Sequence, residues 1–183
     1  MLDVSQVSPV KNQGGCGSCT AFATVALVET CFKKKVGMFG DYSEQHLLDC
    51  AYGSTGIFGC GGARPHGYAS WLAANKPKLA SEGTYPYRGR VGTCRTDYEE
   101  FNQGARITTY YYTGRGNEEN LKRLVYQHGA VLVAVAANGN FQRYRGGIFS
   151  GCSASDRINH AVVVVGYGTQ AERSTPGPRR GPR

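Results

Sequence analysis

No apolar run in this 183-residue chain reaches the ~18 residues of a membrane-spanning helix. The longest are Ala130–Ala137 and Ala161–Val165, so no membrane partner is expected. Asn-X-Ser/Thr is absent throughout, which leaves no acceptor for N-glycosylation. A second paired Cys or Cys/His motif at zinc spacing is also missing, so neither a metal nor another cofactor is expected. The chain opens Met-Leu-Asp without a basic-then-apolar leader; the leader of a secreted parent would lie outside these residues. Charged residues are scarce at 19%, yet hydrophobic ones reach 40% with 12 Tyr and 7 Phe, which is the composition of a folding chain. At this length about 70% of the unfolded surface can be buried, enough for a core without metal or repeats.

The net charge of +8 could suggest nucleic acid or another acidic partner. Residues 170–183 carry four Arg against one Glu, or +3 of that total. The remaining +5 is an ordinary basic surface, and no nucleic-acid partner is expected. Cysteine is the unusual component. Seven occur, at 16, 19, 31, 50, 60, 94 and 152, and five of them fall in the first 60 residues. The crowding predicts a disulfide-stapled half from an oxidising compartment, and the odd count leaves one thiol over.

Helical periodicity dominates early. A glycine-rich loop over 12–18 runs into a helix from Cys19 to about Lys34, with Ser18 as N-cap and a buried face of Phe22, Val25, Ala26, Leu27 and Cys31 or Phe32. Lys33–Lys35 suit the negative end of its dipole. Further helices are predicted from Ser43 over Glu44–Cys50, from about Pro65 to Ala74, and over Asn117–Gln127 with an Asn cap and Gly129 behind. The Thr, Tyr and Val texture between Gly89 and Tyr112 predicts strands, as do the apolar runs Ala130–Ala137 and His160–Gly166. The fold class is α+β with two lobes: 1–105 helical, 106–169 β-rich, then a Pro/Arg-rich tail over 170–183 that reads as disordered.

Cys19 occupies the position with the most chemistry. A cysteine in a helix's first turn meets unpaired backbone N–H groups and the positive dipole end, which favour thiolate over thiol. A thiolate is a nucleophile, and a neighbouring histidine can return a proton to a leaving amine. The same cysteine could instead be structural or half of a disulfide, or pair with Cys16 as a Cys-Gly-Ser-Cys redox dithiol. His46, His66 and His128 have no partner visible in sequence, and surface or packing roles are expected for them.

The segment Pro9-Val10-Lys11-Asn12-Gln13-Gly14-Gly15-Cys16-Gly17-Ser18-Cys19 resembles the active-site segment of papain-like cysteine proteases, the cathepsin L and papain group. Asn159-His160-Ala161-Val162, with Val165-Gly166-Tyr167-Gly168, resembles that family's histidine strand, 141 residues after Cys19. Ser43-Glu44-Gln45 with Leu48-Asp49-Cys50, Gly59-Cys60-Gly61-Gly62, Ser81 to Tyr87, and Phe141-Gln142 through Phe149 resemble further landmarks in family order. The likeness runs from Val7 to about Thr169. It implies a two-lobed papain-like fold with a helical first lobe, an incomplete β-barrel-like second lobe and a cleft between them.

By that resemblance the chain would be a cysteine endopeptidase. Cys19 would be nucleophile, His160 general base and acid, and Gln13 a donor to the oxyanion hole. Cys16–Cys60 and Cys50–Cys94 would be disulfides. Gly61 and Gly62 would admit an extended substrate backbone, with Asn159 beside them, and Pro65, Ala134 and Ile158 would wall a pocket for a hydrophobic side chain. Polypeptides would be substrates, an inhibitory pro-segment or cystatin-like inhibitors partners, and the protein a monomer in a lysosome, vacuole or secretion.

The likeness has departures. Thr20 stands where the family places an aromatic residue, usually Trp. Ala63 replaces a cleft-wall glycine, and Arg64 and His66 occupy positions that are commonly apolar or aromatic. The Asn-Ser-Trp-Gly segment that orients the catalytic histidine has no match, and neither do the closing strands. A truncated or frame-shifted gene product is the expectation, with an inactive, at most peptide-binding homologue as the alternative. Cys31 and Cys152 are expected unpaired, Cys31 on the buried helix face.

Overall fold

The computed structural model describes residues 7–99, 105–113 and 117–168. Its longest element is α1, Cys19–Val36. Ala21, Val25, Val28 and Phe32 recur at i, i+4, i+7 and i+11, placing one stripe against the core. Gly37 ends the helix in a left-handed conformation at φ 82°, which a Cβ would penalise, and its N–H closes on Lys33 O at 2.8 Å. The predicted buried face is partly corrected. Val25 is buried and Phe22, Ala26, Leu27 and Phe32 are half-buried, but Cys31 lies off the stripe and is exposed.

Helix α2, Glu44–Cys50, is capped by Ser43, whose hydroxyl accepts from His46 N at 2.9 Å. Glu44 through Asp49 are all buried, so its polar side chains must find partners inside the protein. Gln45 donates to Asp49 Oδ1 and to Arg90 O, both at 2.7 Å, while Tyr85 OH donates to Asp49 Oδ2 at 2.9 Å. A 3-10 turn over Gly59–Gly61 leads to α3, Gly67–Asn75. The predicted start at Pro65 is two residues early, because 65–66 form a turn in front of the helix. Leu47, Leu72, Leu79 and Ile57 are at most 1% exposed in the common core, each contributing roughly 2 kcal/mol by burial.

Helix α4, Glu118–His128, has Asn117 as its cap, accepting from Asn120 N at 2.9 Å. Strands β1, Val131–Val135, and β2, His160–Val164, pair antiparallel with Val135 opposite His160 and Ala134 opposite Ala161. Both are shorter than the apolar runs predicted them, since pairing stops where the partner strand does. A short helix α5, Gly139–Gln142, was not foreseen; Asn138 caps it through Phe141 N at 2.9 Å. No strand forms among the described residues of 89–112. That stretch instead packs Tyr98 on His46 beside Tyr85 and lays Ala105 and Ile107 on the core. Helix α1 packs on α2 and α3 and also on both strands, and Ala161 is the buried residue of β2. Helix and histidine strand are thereby fixed to each other.

Candidate active site

Cys19 is the first residue of α1 and carries a free, partly exposed thiol. The loop before it is held at several points. Cys16 is bonded to Cys60, and Cys50 to Cys94, with Cα separations of 4.7 and 4.6 Å. Gly17 N donates to Cys60 O at 3.0 Å, an approach so close that a Cβ on Gly17 would stand 2.5 Å from that oxygen. Asn12 Oδ1 accepts from Gly14 N at 2.9 Å and shapes the turn.

Ser18 sits at the N-cap position but does not cap. Its hydroxyl lies 2.7 Å from Tyr87 OH, and Tyr87 OH in turn donates to Gln13 O at 2.8 Å. Tyr87 therefore clamps both ends of the loop before Cys19 and packs edge-on against Phe22 at 4.9 Å. In the sequence Tyr87 stands only as part of the Ser81 to Tyr87 landmark. Its alternation with Tyr85 was the available signal, since Tyr85 points to Asp49 while Tyr87 points to the loop.

Gln13 donates its side-chain amide to Cys16 O at 2.9 Å, which uses one of its two N–H bonds. Thr20 is buried and donates to Ala63 O at 3.3 Å, tying the residue after Cys19 to the segment that follows the 3-10 turn. In that segment Gly62 has φ 100°, a conformation suited to glycine, with open space where a Cβ would be. Gly61 and Pro65 are exposed, and Arg64 N closes on Gly56 O at 2.8 Å. Tyr68, in the first turn of α3, is buried with no partner for its hydroxyl. Burial pushes its phenol far above the usual range, and the charge of Cys19 acts in the same direction, which sets Tyr68 in the electrostatic environment of Cys19.

His160 opens β2 and borders a cavity of about 380 Å³ with Ala137, Phe141, Gln142 and Asn159. Asn159 is engaged through its backbone N–H to Val135 O at 3.1 Å and accepts from Ala137 N at 2.8 Å. Among the described residues, no hydrogen bond reaches the His160 ring, from Cys19 or from any other group. Ala134 is half-buried in β1 and Ile158 is 60% exposed; neither borders this cavity, and nor does Pro65.

The remaining histidines have other surroundings. His46 is buried, and its Nδ1 accepts from Ala80 N at 3.2 Å, which fixes the proton on Nε2. Burial pushes its pKa down to about 4, against a smaller opposing pull from Asp49. His66 packs on Tyr112 and His128 stacks on Tyr111, with ring centroids 4.9 and 5.5 Å apart. Among the described residues no group of His, Cys, Asp and Glu is arranged to hold a metal ion.

A free thiol at the head of a helix, packed against a strand that opens on histidine, is the architecture of a thiol hydrolase. The family model for papain family cysteine proteases matches residues 2–176. Ananain of Ananas comosus is 42% identical over 166 residues, covering 91% of this chain, and the chain spans 46% of that relative's length. Stem bromelain of Ananas comosus is 42% identical over 167 residues, covering 91% of this chain and 74% of the relative. The structure of the bromelain protease from Ananas comosus in complex with the E64 inhibitor superposes with a TM-score of 0.79 at 40% identity, covering 92% of this chain and 74% of that one. The chain belongs to the papain family of cysteine proteases.

Proposed function

We propose that this chain cleaves peptide bonds as a cysteine-type endopeptidase. The observation that carries the reading is the free Cys19 thiol at the start of α1, between a disulfide-held loop and the packed β2 strand that begins at His160. In the reaction the Cys19 thiolate attacks the scissile carbonyl carbon, and the carbonyl electrons move to oxygen. Backbone N–H of Cys19 and the second amide N–H of Gln13 stabilise that oxyanion. The His160 imidazolium protonates the departing amine, leaving a thioester. Water then attacks with His160 as base and releases the acid and the thiol. Gly61 and Gly62 accept the extended substrate, Asn159 flanks it, and Pro65, Ala134 and Ile158 favour a hydrophobic side chain one place before the cleaved residue.

Polypeptides are the substrates on this reading, and a pro-segment or cystatin-like inhibitor would close the same cleft. The protein works as a monomer in a lysosomal, vacuolar or secreted setting, where its two disulfides persist. A second reading, a peptide-binding homologue without turnover, is favoured by one observation: no hydrogen bond joins Cys19 to His160. Apo geometry of this kind often tightens only with substrate bound.

The pH dependence of Cys19 alkylation by iodoacetamide separates the two readings. A thiolate–imidazolium pair labels fast near pH ~5, loses that rate in His160→Ala, and takes up E64 at Cys19. Labelling that rises only toward pH ~8.5, alike in both proteins, sinks the enzymatic reading.

A further inference from the structure

Residues 60–64 run beside Cys19. Gly17 N donates to Cys60 O at 3.0 Å, a Cβ on Gly17 would stand 3.5 Å from Gly62 N, and Thr20 donates to Ala63 O at 3.3 Å. Positions 17 and 20 flank Cys19, so a polypeptide laid across its thiol has this segment at its side. Arg64 ends the run. Its N–H is tied to Gly56 O at 2.8 Å, and its stem rests on Gly56, where an added Cβ would stand 2.7 Å from Arg64 Cδ. The residue is exposed, and among the described residues its guanidinium has no ion pair or hydrogen bond. A held stem with an unspent fork of N–H donors is set for an anion from outside the chain.

Acidic residues are kept out of the stretches that carry Cys19, Arg64 and His160. None of the 13 Asp and Glu falls in 12–28 or in 50–81. In 129–168 there is only Asp156, whose Oδ2 already accepts from Asn138 Nδ2 and Ser153 N, both at 2.8 Å. The field beside Cys19 is therefore positive, with Arg64 as its accessible cation. We infer that Arg64 is a specificity-determining residue that selects an acidic side chain in the substrate, a Glu or Asp two places before the cleaved residue. The inference rests on the proposed cleavage reading, in which Gly61 and Gly62 accept the extended substrate and Pro65 faces the side chain one place before the cleaved residue. Side chains alternate along an extended chain, so Arg64, next to Pro65, meets the preceding substrate side chain on the other side. A carboxylate there forms a two-pronged pair with the guanidinium, whereas a lysine meets like charge. Because the pair is open to solvent, the selection is a few-fold preference and not an absolute requirement.

The test uses fluorogenic peptides with a fixed hydrophobic residue one place before the cleaved residue and Glu, Gln or Lys two places before it. In the full chain kcat/KM is expected to be about fivefold higher for Glu than for Gln, and lower again for Lys. Arg64→Gln should bring the three together, and Arg64→Glu should reverse their order. Calorimetric binding of the same peptides to Cys19→Ala, which cannot turn them over, reads the preference apart from catalysis. Glu-first binding without cleavage by the parent chain would sink the endopeptidase reading and leave the role of Arg64 standing. Cleavage of all three peptides with equal kcat/KM would do the reverse. A Glu preference that survives Arg64→Gln overturns the inference. So does the absence of both binding and cleavage with every peptide at millimolar concentration.

Discussion

Gly17 shows how much the loop before Cys19 depends on a missing methyl group. Its N–H bonds Cys60 O, and the space where a Cβ would stand is already taken by that oxygen. Backbone cannot yield there, because Cys60 is locked to Cys16 one residue away. Gly17→Ala is expected to cost about 1–3 kcal/mol in urea unfolding and to slow Cys19 alkylation, since the displaced loop carries Cys19 with it. His46 offers a second single-residue consequence, through pH. Its folded pKa of about 4 lies below the ordinary histidine value of 6.5, so between these values the unfolded chain binds a proton that the native ring refuses. Stability therefore falls as pH drops from about 6.5 to 4, by roughly 3 kcal/mol in total from this group. Glu44 contributes the opposite slope, because its raised pKa favours the native state at low pH and loses that contribution as pH rises through about 7. His46→Asn, which keeps an acceptor for Ala80 N, should flatten the acid-side fall in unfolding free energy; an unchanged difference from the parent between pH ~4 and ~6.5 would reject the assignment.

At the scale of elements, legibility followed the locality of the signal. Helix α2 and helix α4 announced themselves by cap and periodicity, and both ends of α4 fall within a residue of where Asn117 and Gly129 placed them. The strands were visible as Val-rich runs. The Tyr and Thr between 89 and 112 misled because β-propensity records a half-buried surface rather than a backbone state. Here that surface is Tyr98 packed on His46 at 4.7 Å, beside Tyr85 from just outside the stretch at 5.6 Å. Ser18 misled for a related reason: a cap sequence specifies a hydroxyl near the helix start, but the non-local Tyr87 took it. Asn117 makes the capping argument testable. Its side chain holds Asn120 N, so Asn117→Ala should cost about 1 kcal/mol, whereas Asn117→Asp should be near neutral in thermal unfolding.

For the whole molecule, what the sequence disclosed of the candidate site and what it hid divide along the same line. Cys19, Gln13 and His160 stand in short segments that can be read residue by residue. The ion pairs of Lys11 with Glu29, Asp41 and Glu44 join residues far apart in sequence, none conspicuous where it stands, and only folding assembles them. Disulfides provide the framework for that assembly. Each closes a separation of 44 residues, 16 to 60 and 50 to 94, and the two loops overlap from Cys50 into the 3-10 turn at Cys60. Chain-entropy reasoning gives about 4 kcal/mol for a loop of this length, with measured values usually lower. The paired replacement Cys50→Ser with Cys94→Ser should therefore lower the unfolding free energy by about 2–4 kcal/mol. Cys31→Ser and Cys152→Ser are the proper controls. Both thiols are free and exposed, so each change should stay within about 0.5 kcal/mol. A large loss at Cys31 or Cys152 would mean that one of these thiols is covered or paired in solution, whereas a small loss at Cys50 and Cys94 would mean that α2 holds its place through Gln45 and Asp49 alone.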